Sequence, residues 1–128
     1  MISMGSQSQT GATAPIARLH VGPRMSEAAV VGGLCFLAGQ VASNPTEDTG
    51  GQTKQVLAAI DQLLLEAGTD RTRIVSTTIY LRDIADFAAM NAVWDAWVPA
   101  GHTPPRATVQ AVLARPEYRV EIQVVAAI

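Results

Sequence analysis

Two charged side chains near the C-terminus stand where chemistry could use them, Arg106 and Glu121. Arg106 follows Pro104-Pro105. Proline fixes its own backbone and restricts the residue before it, so the point from which the arginine side chain starts is set. A guanidinium is a planar fork that pairs two-pronged with a carboxylate. The same residue would serve as half of an interface salt bridge, and the residues alone leave both readings open. Glu121 lies inside an alternating segment on a face expected to be enclosed. An enclosed carboxylate needs a partner or a raised pKa. It either pairs with an arginine or holds a water as a general acid/base.

The elements that must position this pair read as follows. Residues 107–113 and 119–126 alternate β-branched and polar side chains, the pattern of half-buried strands. Arg115-Pro116-Glu117 between them suits a tight turn, so the segment reads as a hairpin. Further back, 28–31 and 34–38 read as strands around Gly32-Gly33, a pair suited to a tight hairpin. Gly39 ends the second strand, either as a simple strand end or so that a backbone N–H can approach a ligand or another chain. A polar loop over 44–51 leads to a helix over 52–67. Its Val56, Leu57, Ile60, Leu63, Leu64 and Ala67 form one apolar stripe. Gly68 is its stop signal.

The run 74–81 (IVSTTIYL) is a continuous β-branched segment and reads as an interior strand. Asp83 then caps a helix to about residue 98, with Asp86 in its first turn. Phe87, Met90, Trp94 and Trp97 or Val98 form its buried stripe. Asn91 shares that side, where its amide must find partners, structural or from a ligand. The order is ββαβαββ: an α+β domain with one mixed sheet and two helices on one face, since such crossovers are right-handed. Val109, Ala111, Leu113, Val120, Ile122 and Val124 would face the helices. Thr108, Gln110, Val112, Glu121, Gln123 and Val125 would share the other face with Ser76, Thr78 and Tyr80. That second face is too apolar for open solvent and too polar for a core, which predicts a closed ring of sheets, simplest as a homotrimer.

The 128 residues predict one domain over 16–128, preceded by a disordered Ser/Gln/Thr/Gly tail over 1–15. Charged residues are only 16% of the chain, low for a small domain that does not hide surface in an oligomer. The net charge of −2 and the lack of a basic run argue against a dedicated nucleic-acid binder. Cys35 is the one cysteine, so an intrachain disulfide is excluded and a reducing, cytoplasmic compartment fits. Neither a membrane span nor a secretory signal is expected. Cys35, among Leu34, Phe36 and Leu37, reads as a core thiol, and His20 and His102 read as surface or loop residues. Phosphate loops, nucleophile elbows and Cys/His clusters with zinc spacing are absent.

The chain resembles the RidA/YjgF-type reactive intermediate deaminase family over nearly all of its length after the tail. The resemblance rests on Gly22-Pro23, Ala38-Gly39-Gln40, Gln52-Thr53, the 83–87 run DIADF with Asn91, the 105–109 run PRATV, and Val120-Glu121-Ile122. It implies a chorismate-mutase-like trimer with sites between subunits. It also implies hydrolysis of 2-imino acids, the tautomers of 2-amino enoates, to 2-oxo acids and ammonia, without cofactor or metal. Arg106 falls on the arginine that grips the substrate carboxylate, and Glu121 on the glutamate that orients the attacking water. Asn91 matches a site-lining asparagine. Thr108 stands where the archetype has a cysteine. The family's pocket tyrosine is missing from the 22–26 stretch GPRMS, leaving Arg24 and Met25 there, and Ala38 replaces a serine beside Gly39. Two pocket hydroxyls are thus lost and Arg24 adds a cation. A non-catalytic trimer binding small carboxylates is the alternative. An endoribonuclease role, known within the family, fits the acidic balance less well.

Overall fold

The computed structural model describes residues 13–128. Residues 1–12, most of the expected tail, lie outside the described residues, and 13–16 form exposed coil. The strands are β1 (Ala17–Leu19), β2 (Ala28–Val31), β3 (Leu34–Leu37), β4 (Ile74–Leu81), β5 (Arg106–Gln110) and β6 (Val120–Ala127). The helices are α1 (Thr49–Glu66) and α2 (Phe87–Trp97). One six-stranded sheet runs in the order β1-β2-β3-β6-β4-β5. Only β4 and β5 are parallel neighbours, as the crossover through α2 requires. Among the described residues no helix is long and apolar enough to cross a membrane.

Local chemistry explains most boundaries. Gly32 and Gly33 have φ of 58° and 79°, the two positive values a two-residue hairpin turn demands between β2 and β3. Helix α1 starts at Thr49 because the Asp48 carboxylate accepts from the Gly51 N–H at 2.8 Å, capping the helix three residues earlier than its apolar stripe suggests. Asp83 does cap, but it caps a single 3₁₀ turn over Ile84–Asp86, and α2 begins only at Phe87. Asp86 accepts instead from the Thr49 hydroxyl at 2.8 Å, tying the starts of the two helices together.

The core lies between the sheet and the helices. Val56, Leu57, Ile60, Leu63 and Leu64 of α1 meet Met90 and Trp94 of α2 over Cys35, Leu37, Ile79, Leu81, Val120, Ile122 and Val124. The central strand β4 matches its expected bounds, Ile74–Leu81. Strand β1 was not anticipated from three weakly patterned residues.

The expected C-terminal hairpin does not form. Strand β4 lies between β5 and β6, and β6 pairs with β3 on its other side. Residues 111–119 carry the chain over the end of β4. Ala111 N–H donates to the Leu81 carbonyl at 2.9 Å, and Arg82 N–H to the Arg119 carbonyl at 3.0 Å. The register reverses part of the facial assignment. Arg106 pairs with Thr77 and Thr108 with Ile79, so Thr108 and Gln110 lie on the helix side. Val109, expected to face the helices, pairs with Tyr80 on the other side and is 44% exposed. Ala111 and Leu113 lie beyond β5.

Candidate functional site

Arg106 opens β5, and the preceding Pro105 carbonyl accepts from the Thr77 N–H at 3.0 Å, which fixes the strand start against β4. The guanidinium carbon lies 5.8 Å from the Phe87 ring centre and 5.3 Å from that of Trp94. These aromatic faces hold the cation through their quadrupoles and leave its N–H edges unused. No carboxylate lies within ion-pair distance of Arg106 among the described residues. Phe87, expected in the buried stripe, is 43% exposed, because it serves as the outer half of this platform. Asn91 stands half-buried on the same stripe, between Phe87 and Trp94. Two hydroxyls beside the cation, those of Thr108 and of Thr77, are buried without a hydrogen-bond partner. Thr77 was not singled out from sequence. Only its pairing with Arg106 reveals it.

Glu121 lies on the opposite face. It pairs with Tyr80, while its neighbours Val120 and Ile122 are buried under the helices. Its carboxyl packs against Gly39: a Cβ on that glycine would sit 2.0 Å from Glu121 Oε2. The absence of a side chain at Gly39 thus makes room, within the chain, for this carboxyl. Gly39 is held there by its neighbour Gln40, which exchanges two backbone hydrogen bonds with Ile122 at 2.8 and 3.1 Å. Burial pushes the Glu121 pKa up from the ordinary glutamate range.

Arg24, Met25 and Ala38 meet in a cleft of about 440 Å³ on this same side. Its rim is the 22–26 loop, closed by Gly22 N–H donating to the Met25 carbonyl at 2.8 Å. Ala38, which lines the cleft, is next in the chain to Gly39, which the Glu121 carboxyl touches.

The expected site residues thus fall into two groups. Arg106, Thr108 and Asn91 gather under α2, and Glu121, Gly39, Ala38, Met25 and Arg24 gather on the open face. Within one chain the sheet itself separates the anion grip from the carboxyl. The remaining reactive types stand apart. Cys35 is buried and burial raises its pKa, and His20 pairs with Glu66 at 2.5 Å at the surface.

Comparison with known proteins agrees with this fold. A family model described as endoribonuclease L-PSP matches residues 16–128. The RutC family protein YoaB of Escherichia coli is 44% identical over 113 residues, covering 88% of this chain and 98% of that protein. A crystal structure of NMB1025 from Neisseria meningitidis, a member of the YjgF family, is 51% identical with a TM-score of 0.86, covering 88% of this chain and 94% of that one. A Yersinia pestis structure of the conserved Rid family, YyfA, is 33% identical with a TM-score of 0.77, covering 84% of this chain and 90% of that one. An α+β chain with this sheet order, matched almost end to end by such relatives, belongs to the RidA/YjgF family, which also carries the RutC name.

Proposed function

We propose that the protein hydrolyses 2-imino acids, such as 2-iminopropanoate and 2-iminobutanoate, to 2-oxo acids and ammonia, at sites built where copies of a cytoplasmic homotrimer meet. The observation that carries this reading is the Arg106 guanidinium, seated on two aromatic rings with no carboxylate partner among the described residues. Such a cation accepts an organic carboxylate two-pronged. Thr108 and Thr77 lie on the same side of β5 and β4 as Arg106, with buried hydroxyls that have no partner among the described residues, and Asn91 lies on the α2 stripe between Phe87 and Trp94. Glu121, contributed by a second copy, holds the water. The water oxygen adds to the imine carbon while its proton passes to Glu121. Glu121 returns that proton to the nitrogen, giving a carbinolamine. The hydroxyl proton then passes by way of Glu121 to the nitrogen, and as the C–N bond breaks the C–O bond becomes the carbonyl and ammonia leaves. Imine hydrolysis needs only modest help, and positioning water at about 3–3.5 Å from the carbon supplies it.

The test generates 2-iminopropanoate with an amino-acid oxidase and follows its decay. Wild type accelerates the decay. Arg106→Ala removes one partner of a charged pair, a loss of about 2–5 kcal/mol, which lowers kcat/KM by roughly 30- to 5,000-fold. Equal decay with both proteins rejects the proposal. Stabilisation by 2-oxo acids without turnover would identify a carboxylate carrier instead. RNA cleavage that survives repeated purification and Arg106→Ala would favour the activity in the family model's description.

A further inference from the structure

The cleft that holds Arg24 also holds Arg18. Arg18 points to the open face from β1, in one row with Ala29 and Phe36. Arg24 rises from the 22–26 loop. Neither guanidinium has a carboxylate within ion-pair distance among the described residues. The nearby carboxylate of Glu27 is turned to the Gln40 amide, which donates to it at 3.1 Å. Met25, Ala29, Phe36 and Ala38 give the cleft apolar lining, and Ser26 adds a hydroxyl. In a chain of net charge −2, two cations lining one cleft with no carboxylate partner among the described residues are a local reversal of sign. Such clefts concentrate anions.

Ala38 lines the cleft, and the next residue, Gly39, touches Glu121. A substrate whose imine carbon sits at Glu121 and whose side chain runs past the Ala38 methyl enters the cleft that Arg24 and Arg18 share. A short methylene stem ending in an anion fits each part of that path. A bare methyl or ethyl side chain would leave both cations unused.

The geometry points to 2-imino dicarboxylates, with the second carboxylate held by Arg24 and Arg18, as the preferred substrate class. This inference rests on the deaminase reading above for its chemistry, but the anion cleft can be tested apart from it. The reaction balances as for any imine: water adds at the imine carbon, ammonia leaves, and a 2-oxo dicarboxylate results.

The experiment has a kinetic and a binding arm. In the first, 2-iminoglutarate and 2-iminopropanoate are generated in situ by amino-acid oxidases, and the ratio of their kcat/KM values is measured for wild type, Arg24→Gln, Arg24→Lys and Arg18→Gln. Wild type favours the dicarboxylate about tenfold or more, the scale of one added charged hydrogen bond. Arg24→Gln and Arg18→Gln each bring the ratio down severalfold, and Arg24→Lys recovers part of it. In the second arm, calorimetry compares 2-oxoglutarate with 2-oxobutanoate. The former binds about tenfold tighter to wild type, and the advantage is lost in Arg24→Gln. Both arginines are exposed, so the variants fold. Turnover of 2-iminopropanoate with no dicarboxylate preference in either arm overturns this inference and leaves the deaminase reading standing. Absence of any imine turnover, with 2-oxoglutarate still bound through Arg24, rejects the deaminase reading and supports the dianion cleft.

Discussion

At the scale of single residues, Glu121 and Gly39 share one small volume. A methyl on residue 39 would stand 2.0 Å from Glu121 Oε2 and 2.9 Å from Cδ, so Gly39→Ala must displace the carboxyl. The displaced atoms end a flexible side chain, so the fold tolerates the change. A reacting group moved by about 1 Å loses roughly 10²-fold in rate. Gly39→Ala is therefore expected to lower kcat while leaving KM nearly unchanged, because the carboxylate grip is made by Arg106 of a second copy, which the substitution does not alter. Steady-state kinetics of iminopropanoate decay separate the two constants. A rise in KM alone would mean that Gly39 serves binding and not the water.

The same carboxyl makes stability depend on pH. Burial raises its pKa, so the folded state holds this proton more tightly than the unfolded chain does. Its contribution is complete below the unfolded glutamate value, about 4.3, and is lost as pH rises through the raised folded value. Relative to wild type, Glu121→Gln is expected to gain stability between pH 4 and pH 7. Urea unfolding at several pH values measures the difference, and parallel curves for the two proteins would refute it. The deprotonated form takes the water's proton, so the acid limb of the wild-type rate profile should lie above the ordinary glutamate range. All of this chemistry was legible as residue types, Arg106 after two prolines and Glu121 in a strand. Thr77 was not, because nothing in IVSTTIYL distinguishes its hydroxyl until β5 lies alongside.

At the scale of elements, Gln52 joins three segments that share no periodicity. It is fully buried at the start of α1, and its amide nitrogen donates to the carbonyls of Pro45 at 3.0 Å, Glu47 at 3.1 Å and Glu117 at 2.9 Å. Its amide oxygen accepts from the Arg119 N–H at 2.9 Å. The chain between β5 and β6 is thereby pinned to the helix start. Gln52→Leu keeps the volume and strands these polar groups, at about 1–3 kcal/mol for each one left unsatisfied. A drop in Tm of roughly 5–15 °C is expected, and calorimetry checks it. A change within a degree or two would show that water replaces the amide. This bridge also bears on what the sequence can reveal. Strand β4 and the stripe of α1 were readable because their signals are local and continuous. The pairing of β5 was not, since alternation fixes which residues share a face and says nothing of which neighbour the strand joins. Arg106, Thr108 and Gln110 were one face in either reading. That this face turns to the helices is decided by the parallel register with β4 and by the Phe87–Trp94 platform.

At the scale of the whole molecule, the sheet divides the proposed machinery. Arg106 lies under α2 and Glu121 on the face away from the helices, so one substrate can meet both only if a second copy brings its open face to the first copy's α2 edge. The open face supports such a meeting, since Phe36 and Val109 leave apolar surface there that a monomer would expose to water. The arrangement has a consequence that a site within one chain would not have. Arg106→Ala and Glu121→Gln are each inactive as pure assemblies, because every site in them lacks one partner. When the two are unfolded together, mixed and refolded, some junctions pair an intact Arg106 from one copy with an intact Glu121 from the next. In a closed ring with random mixing, about a quarter of the junctions are complete, so roughly a quarter of wild-type activity should return. Each variant refolded alone stays inactive and provides the control. Light scattering of the same samples gives the number of copies in the ring, expected to be three. If the mixture remains as inactive as its parents while the refolded assemblies keep their size, arginine and glutamate do not act on one substrate across an interface, and the division of labour between the two faces must be redrawn.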